Sequence, residues 1–184
     1  MRMKMFLCAM FGVIINIYAQ GLQLNEAGTY EKKEVVKVDG VSAVILYDRA
    51  MTALTAMTGA DGKAKSGIDY QNQETCTVVY KGSFSLGIRE TLAGGIRRYG
   101  NFTLTVKCKD GRAQVAVDVP TITAVASNGM KRDHPIKDLV NAVEKSKGKR
   151  RERGDAILDD IENQSKLIIA SVAASMMGAK EDDF

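Results

Sequence analysis

The sequence is poor in the residue types that carry most catalytic and metal chemistry. Among its 184 residues are one histidine, three cysteines and no tryptophan. The histidine, His134, stands beside Pro135 at a predicted helix start, with no partner set around it. Adjacent carboxylates such as Asp159-Asp160 would point in different directions on a helix, so they lack the opposed geometry of general acid–base pairs. We therefore expect no enzyme activity, no cofactor and no metal site.

The sequence also has little net charge. Its formal net charge is +4, with 26 basic and 22 acidic residues, and Arg2 and Lys4 lie in the first 19 residues. Without those residues the balance is 24 basic against 22 acidic, or +2. Nucleic-acid binding needs a concentrated basic face, so this near-neutral chain predicts no nucleic-acid partner. The hydrophobic share of 45% is that of an ordinary globular protein.

Apolar runs are short, which excludes a transmembrane helix in the mature chain. Residues 5–17 are apolar apart from Asn16, follow two basic residues, and lead into Tyr18-Ala19. A spanning helix needs about 20 apolar residues, whereas a basic start, a short apolar run and a small residue at the end are typical of a secretory signal. We predict a signal peptide at residues 1–19, export, and a flexible lead at residues 20–29.

The next segment predicts a strand and then a helix. Residues 34–38 form the strand, and Asp39-Gly40 is a turn pair. Ser42 can cap the helix that follows, and Gly59 would end it. The apolar stripe of this helix consists of Leu46, Tyr47, Ala50, Ala53, Leu54 and Met57.

Period-two alternation predicts an antiparallel sheet with one buried face. Three segments, 74–86, 101–109 and 112–119, place their apolar residues on one parity. The pair Asp110-Gly111 predicts a hairpin that sets Val106 opposite Val115 and Leu104 opposite Val117. Residues 88–98 are predicted as a long connecting loop. Residues 121–128 are a further extended segment.

The same register places Cys76 and Cys108 side by side on the buried face. Directly opposed residues have Cβ atoms about 4.5–5.5 Å apart, close enough for a modest adjustment to form a bridge. In an oxidising compartment an even number of cysteines favours a disulfide. The alternative is two buried free thiols that pack as small hydrophobes. The sequence leaves both open.

The C-terminal part, residues 131–184, is predicted as a helical extension of a domain at 30–130. Asp133 would cap a helix that starts near Pro135, and residues 145–153 carry six basic residues against one acidic. Such a run is typical of a solvated helix face or a linker. An apolar helix at 156–179 predicts docking on the domain or self-association. A basic segment before an apolar helix could also lie on an anionic membrane surface.

Several motifs carry a resemblance to a known family. They are Val35-Val36-Lys37-Val38-Asp39-Gly40, Leu46-Tyr47-Asp48-Arg49-Ala50, Thr103-Leu104-Thr105-Val106-Lys107 and Asp110-Gly111-Arg112. With these motifs, residues 30–119 resemble a domain of unknown function with a fold like that of the TATA-binding protein, found in exported proteins of Gram-negative bacteria. The resemblance implies an α+β fold, a mostly antiparallel sheet with helices on one face, and a periplasmic or envelope location. It implies no known activity, and DNA binding does not follow from the fold.

Two functions remain compatible with these patterns. The first is a non-catalytic interaction module of the periplasm or cell surface, with an unknown protein or envelope component as partner. Its contact surface would be the outer sheet face with Thr103, Thr105, Lys107, Arg112 and Gln114, and the arginine-bearing segment 88–98. The alternative is a carrier of a small apolar ligand between sheet and helix, in a pocket lined by Tyr80, Phe84 and Phe102. These three residues can equally fill the core.

Overall fold

The computed structural model describes residues 24–57, 67–91 and 94–178. Within these ranges six strands and three helices follow one another: β1 (Tyr30–Lys37), α1 (Ala43–Ala56), β2 (Gly67–Asn72), β3 (Thr77–Thr91), β4 (Gly94–Lys109), β5 (Arg112–Ala126), β6 (Lys131–Pro135), α2 (Ile136–Glu144) and α3 (Lys149–Met177). The strands form one antiparallel sheet in the order β1-β5-β4-β3-β2. β6 pairs with the second half of β5, beyond the part that pairs with β1. The predicted α+β class is confirmed.

The hairpin around Asp110-Gly111 has the register that the alternation predicts. Val106 pairs with Val115 and Leu104 with Val117. All four side chains are fully buried. A slip of one residue would move every apolar side chain of the hairpin to the solvent-exposed face of the sheet. The apolar pattern therefore favours the same register as the turn.

Helices α1 and α3 pack against the same face of this sheet and against each other. α1 begins as predicted, with the hydroxyl of Ser42 accepting a hydrogen bond from the Ile45 amide at 3.4 Å. It ends at Ala56, and the predicted terminator Gly59 lies outside the described residues. The core between helices and sheet includes Leu46 and Leu54 of α1, both fully buried.

Helix α3 is longer than predicted and belongs to the same core. It starts at Lys149, so the second half of the basic run forms its first turn instead of a linker. Ile161, Ile169 and Met176 are fully buried in one cluster with the sheet residues. The Arg49 guanidinium of α1 donates to the Met176 carbonyl at 2.9 Å and so caps the C-terminal end of α3. Of the three alternatives for this apolar helix, the structure shows docking on the domain; self-association and contact with a membrane surface stay predictions.

Two local predictions are wrong. Residues 88–91 and 94–98 are not part of a loop, because β3 continues to Thr91 and β4 begins at Gly94, with Arg89 paired to Ile96. A bulge between Ser85 and Ile88 breaks the side-chain alternation, which hides the strand from a period-two search. Asp133 does not cap α2. It lies in β6, where its carboxylate accepts a hydrogen bond from the Thr123 hydroxyl.

The N-terminal predictions are only partly covered by the structure. The predicted signal peptide, residues 1–19, lies outside the described residues. The predicted lead at 20–29 is described from Leu24 onward, where the Gly28 amide donates to the Asn25 carbonyl at 2.9 Å. Leu24 bridges to Tyr30 and packs against the core.

Candidate functional site

The three aromatic residues of the predicted apolar pocket lie together and are buried. Tyr80 stacks on Phe102 with ring centroids 6.1 Å apart, and Phe84 stacks on Phe102 at 5.9 Å. The rings of Phe102 and Phe84 cover Gly82 and Gly100, where a Cβ would overlap them. The Tyr80 hydroxyl donates to the carbonyl of Met57 at 3.1 Å. The rings therefore occupy the space between sheet and helix that a ligand would need.

Cys76 and Cys108 are neighbours, as the register predicts, but they are not bridged. The Cys108 amide donates to the Cys76 carbonyl at 2.9 Å, and both thiols are free and buried. Cys76 has φ +45° and ends a turn, where its thiol donates to the Gln73 carbonyl at 3.2 Å. This left-handed conformation takes its side chain out of the geometry of a regular cross-strand pair. The disulfide alternative is thus not the one in the structure.

Burial makes Cys108 a poor nucleophile. Desolvation, with a smaller contribution from Cys76, raises the pKa of the Cys108 thiol to about 11 from an ordinary value of 9.0. Because the thiolate is the reactive form, we expect native Cys108 to react with iodoacetamide at pH 8 roughly a hundredfold more slowly than in the urea-unfolded chain. Peptide mass spectrometry measures both rates. Equal rates, or no alkylation in urea without reductant, would contradict free buried thiols.

His134 and the acidic residues form no constellation in the described part of the chain. His134 lies exposed in β6, opposite Ile122 of β5. No group of three or more histidine, cysteine, aspartate or glutamate side chains within residues 24–57, 67–91 and 94–178 could hold a metal ion.

The outer face of the sheet carries a shallow depression of about 390 Å³. Its centre is Asn101, whose side-chain amide donates to the hydroxyls of Thr121 and Thr123 at 3.0 and 2.8 Å. Of the predicted contact residues on this face, Thr103 lines the depression. Asn101 therefore uses its amide donors within the sheet, and Lys81 is paired with Asp69 at 3.0 Å, so Lys131 is the one lining cation without an ion pair among the described residues.

A second and larger cavity, of about 1180 Å³, lies where α2 and α3 meet the end of the β3–β4 pair. We call it the basic groove. Its apolar floor consists of Leu86, Leu139, Val143 and Ile157. Its cationic rim consists of Arg89, Arg98, Lys149, Arg150 and Arg153. One carboxylate, Glu90, lies on the same rim.

A glycine builds the closed end of the groove. Gly154 lies inside α3 and is buried, and a Cβ at this position would overlap Val143 Cγ2 of α2. The two helices can approach this closely only because position 154 lacks a side chain. The close approach places Arg150 and Arg153 beside the apolar floor.

The rim of the groove carries more positive than negative charge. None of the five rim cations forms an ion pair with a carboxylate of the described residues. Arg98 is half-buried, and its pKa is lowered by burial and by the positive charge of Arg89. Arginine stays protonated at neutral pH despite such a shift. Arg89 and Arg98 therefore repel each other, and a bound anion would reduce this repulsion.

Sequence reasoning missed this groove because its parts were assigned to a loop and to a solvated helix face or linker. Arg89 and Arg98 lie in the strands that replace the predicted loop, and Lys149 to Arg153 are the first residues of α3. The sequence does contain basic residues that could have indicated the groove, in the run 145–153 and the pair Arg97-Arg98. Only the sheet register brings these two segments to one place.

No helix in the described ranges is long and apolar enough to cross a membrane. No curated protein matches the sequence. Two solved structures are similar in fold, and both come from Gram-negative Bacteroidetes. A DUF4468 family protein from Bacteroides ovatus is 16% identical with a TM-score of 0.59, over 87% of this chain and 92% of that one. A TBP-like protein from Parabacteroides distasonis is 11% identical with a TM-score of 0.55, over 82% and 96%.

The family comparison agrees with the sheet and its helices. Residues 33–122 match the model of a domain of unknown function (DUF4468) with TBP-like fold. This range runs from β1 into β5, so it contains α1 and the central hairpin. The chain belongs, through residues 33–122, to this family of domains with a TBP-like fold.

Proposed function

We propose that the protein is a non-catalytic interaction module of the periplasm or cell surface, and that the basic groove is its binding surface. The observation that carries the proposal is a set of five rim cations around an apolar floor, none of which forms an ion pair with a carboxylate of residues 24–57, 67–91 and 94–178. Charge-assisted hydrogen bonds from arginine are among the strongest single contacts a protein makes, and the floor adds apolar burial. The partner should therefore carry a negative charge next to an apolar part.

Binding without catalysis fits the chemistry of the groove. Its lining contains cations, one carboxylate, one serine and apolar residues, and it lacks histidine and cysteine. A general acid–base pair or an activated nucleophile needs such groups within hydrogen-bond reach of each other. His134 lies in β6 and is not part of the groove lining.

The proposed location rests on the N-terminal sequence and on the relatives. Residues 1–19 have the pattern of a secretory signal. The structural relatives come from Gram-negative bacteria.

The alternative function, a carrier of a small apolar ligand, has less support at the predicted pocket. Tyr80, Phe84 and Phe102 are 2%, 6% and 5% exposed and contact one another. A ligand there would have to displace stacked rings from a closely packed core. The groove floor offers apolar surface without such a displacement.

Calorimetry with monododecyl phosphate, below its critical micelle concentration, tests the proposal. The protein used is residues 20–184, which contain the whole described core but not the apolar leader. We expect binding that weakens by at least about tenfold in R98Q/R153Q, because each lost charged hydrogen bond is worth about 1.5–3 kcal/mol. The phosphate ester should be recovered unchanged.

The matched control is K107Q/R112Q, which removes two positive charges from the exposed ends of β4 and β5 at the opposite end of the sheet. It should bind like the wild type. Equal weakening in both double variants would show that only overall charge matters and would contradict the groove. Hydrolysis of the ester would contradict a non-catalytic role.

A further inference from the structure

Basic residues extend from the groove across the neighbouring end of the sheet. Arg97 of β4 pairs with Val125 of β5, which in turn pairs with Lys131 of β6. Likewise Ala124 of β5 pairs with Arg98 of β4 on one side and with Arg132 of β6 on the other. Arg97, Lys131 and Arg132 are exposed. Because successive strand residues face opposite sides of a sheet, Arg98 and Arg132 lie on the groove side and Arg97 and Lys131 on the outer side, where Lys131 lines the depression. These residues and the rim cations together surround the same end of the sheet, which we call the basic pole.

Two exposed apolar side chains lie on this pole. Ile88 lines the groove next to Arg89 and is 60% exposed, and Met130 precedes Lys131 and is 57% exposed. Met130 lies in the reversal between β5 and β6, where the Ala126 amide donates to the Met130 carbonyl at 2.9 Å, and Ile88 lies near the end of the adjoining β3–β4 pair, opposite Arg97. Large apolar side chains at or near the tips of such strand pairs, amid basic residues, are suited to enter the headgroup layer of a bilayer.

We propose that the basic pole docks on the surface of an anionic bilayer, with the headgroup phosphate of one lipid among the groove arginines and its acyl chain on the apolar floor. This inference rests on the proposed function, since it identifies the occupant of the same groove. Lysine and arginine near an anionic leaflet are attracted by its negative surface potential, and the two apolar tips add burial. Carboxylates on the same elements oppose this attraction, among them Glu90, Asp133 and Glu152.

Other anionic partners fit the pole less well. Single-stranded nucleic acid is usually held by aromatic rings on which bases stack, and none of the residues that line the groove is aromatic. An acidic peptide bound in the groove would neutralise the arginines but would leave Met130 exposed. A bilayer engages the cations, the floor and both tips together.

Vesicle flotation with residues 20–184 tests this inference. We expect binding to mixed phosphatidylcholine–phosphatidylglycerol vesicles and none to phosphatidylcholine vesicles at the same salt concentration. R97Q/R132Q changes the pole outside the groove lining and should reduce the fraction bound by more than about tenfold, because each basic residue near the surface contributes about a fivefold factor. I88S/M130S should reduce it as well, and K107Q/R112Q should not.

Binding of monododecyl phosphate shows whether a failed vesicle experiment contradicts only this inference or the proposed function as well. The ester should bind R97Q/R132Q as tightly as wild type, because neither residue lines the groove. Binding of the ester without vesicle binding would overturn membrane docking and leave the proposed function standing; loss of both would overturn both. Equal vesicle loss in K107Q/R112Q, or displacement of vesicles by a single-stranded oligonucleotide, would also overturn the inference.

Discussion

Replacing Ile169 with alanine should lower the free energy of unfolding by about 2–5 kcal/mol, the usual cost of removing a buried isoleucine side chain. Ile169 is fully buried in the core shared by α3 and the sheet. Leu167 is the matched control, because it lies two residues earlier on the same helix and is 62% exposed. L167A should change stability by no more than about 0.5 kcal/mol. Urea unfolding followed by circular dichroism measures both.

This comparison tests whether α3 is part of the folded unit. The family match ends at residue 122, well before α3 begins at Lys149. The structure nevertheless places α3 residues in the same core cluster as the sheet. Small and equal effects of I169A and L167A would mean that α3 does not contribute to the core in solution, and the groove that depends on it would be lost as well.

Gly154→Ala should lower stability by about 1–2 kcal/mol, although alanine is ordinarily the better helix former by about 1 kcal/mol. The reason is overpacking, which costs about 1–3 kcal/mol or more, because the new Cβ would overlap Val143 Cγ2. Val143 is buried on α2, and its branched side chain has little rotameric freedom in a helix. Thermal and urea unfolding report the change.

A double-mutant cycle isolates this helix contact. V143A alone removes buried methyl groups and should destabilise the protein, but in the G154A background it removes the overlap and should stabilise it. The expected coupling energy is about 0.5–3 kcal/mol. If the two changes are simply additive, the close approach of α2 and α3 that shapes the groove would be contradicted.

Most of the sheet could be predicted because its strands carry two independent and agreeing signals. Between Leu104 and Val117 the apolar alternation and the Asp110-Gly111 turn specify the same register, and the alternating apolar residues of this stretch are all buried. The alternation arises because one face of the sheet is buried and the other is exposed to solvent. Where burial changes, as at the bulge after Ser85, the pattern fails although the backbone pairing continues.

The helical end was harder to predict because its local signals compete. Gly148 and Gly154 resemble breaks in sequence, yet Gly148 is the N-cap of α3 and Gly154 is a packing position inside it. Likewise Asp133 has the residue type of a helix cap, but Thr123 on a neighbouring strand provides a tertiary partner. In each case a contact with a residue distant in sequence determines the local structure, and no local sequence pattern indicates that contact.

The cysteine pair likewise could be predicted only in part from the sequence. Register alone brings Cys76 and Cys108 together, and the amide of Cys108 does bond to the Cys76 carbonyl. Bridge formation depends on the direction of the side chains, and the positive φ of Cys76 changes that direction. The resemblance stated from motifs identified the family correctly, but a family without known activity could not indicate the groove.

The most direct test of the account is the site of binding, mapped by backbone amide shifts in 15N-labelled protein titrated with monododecyl phosphate. The account predicts that the perturbed amides cluster around the floor and rim of the basic groove, at Leu86, Arg98, Val143 and Ile157. Perturbations centred on Thr103 and Thr105 of the outer sheet face, or on Tyr80 and Phe102 in the core, would contradict it.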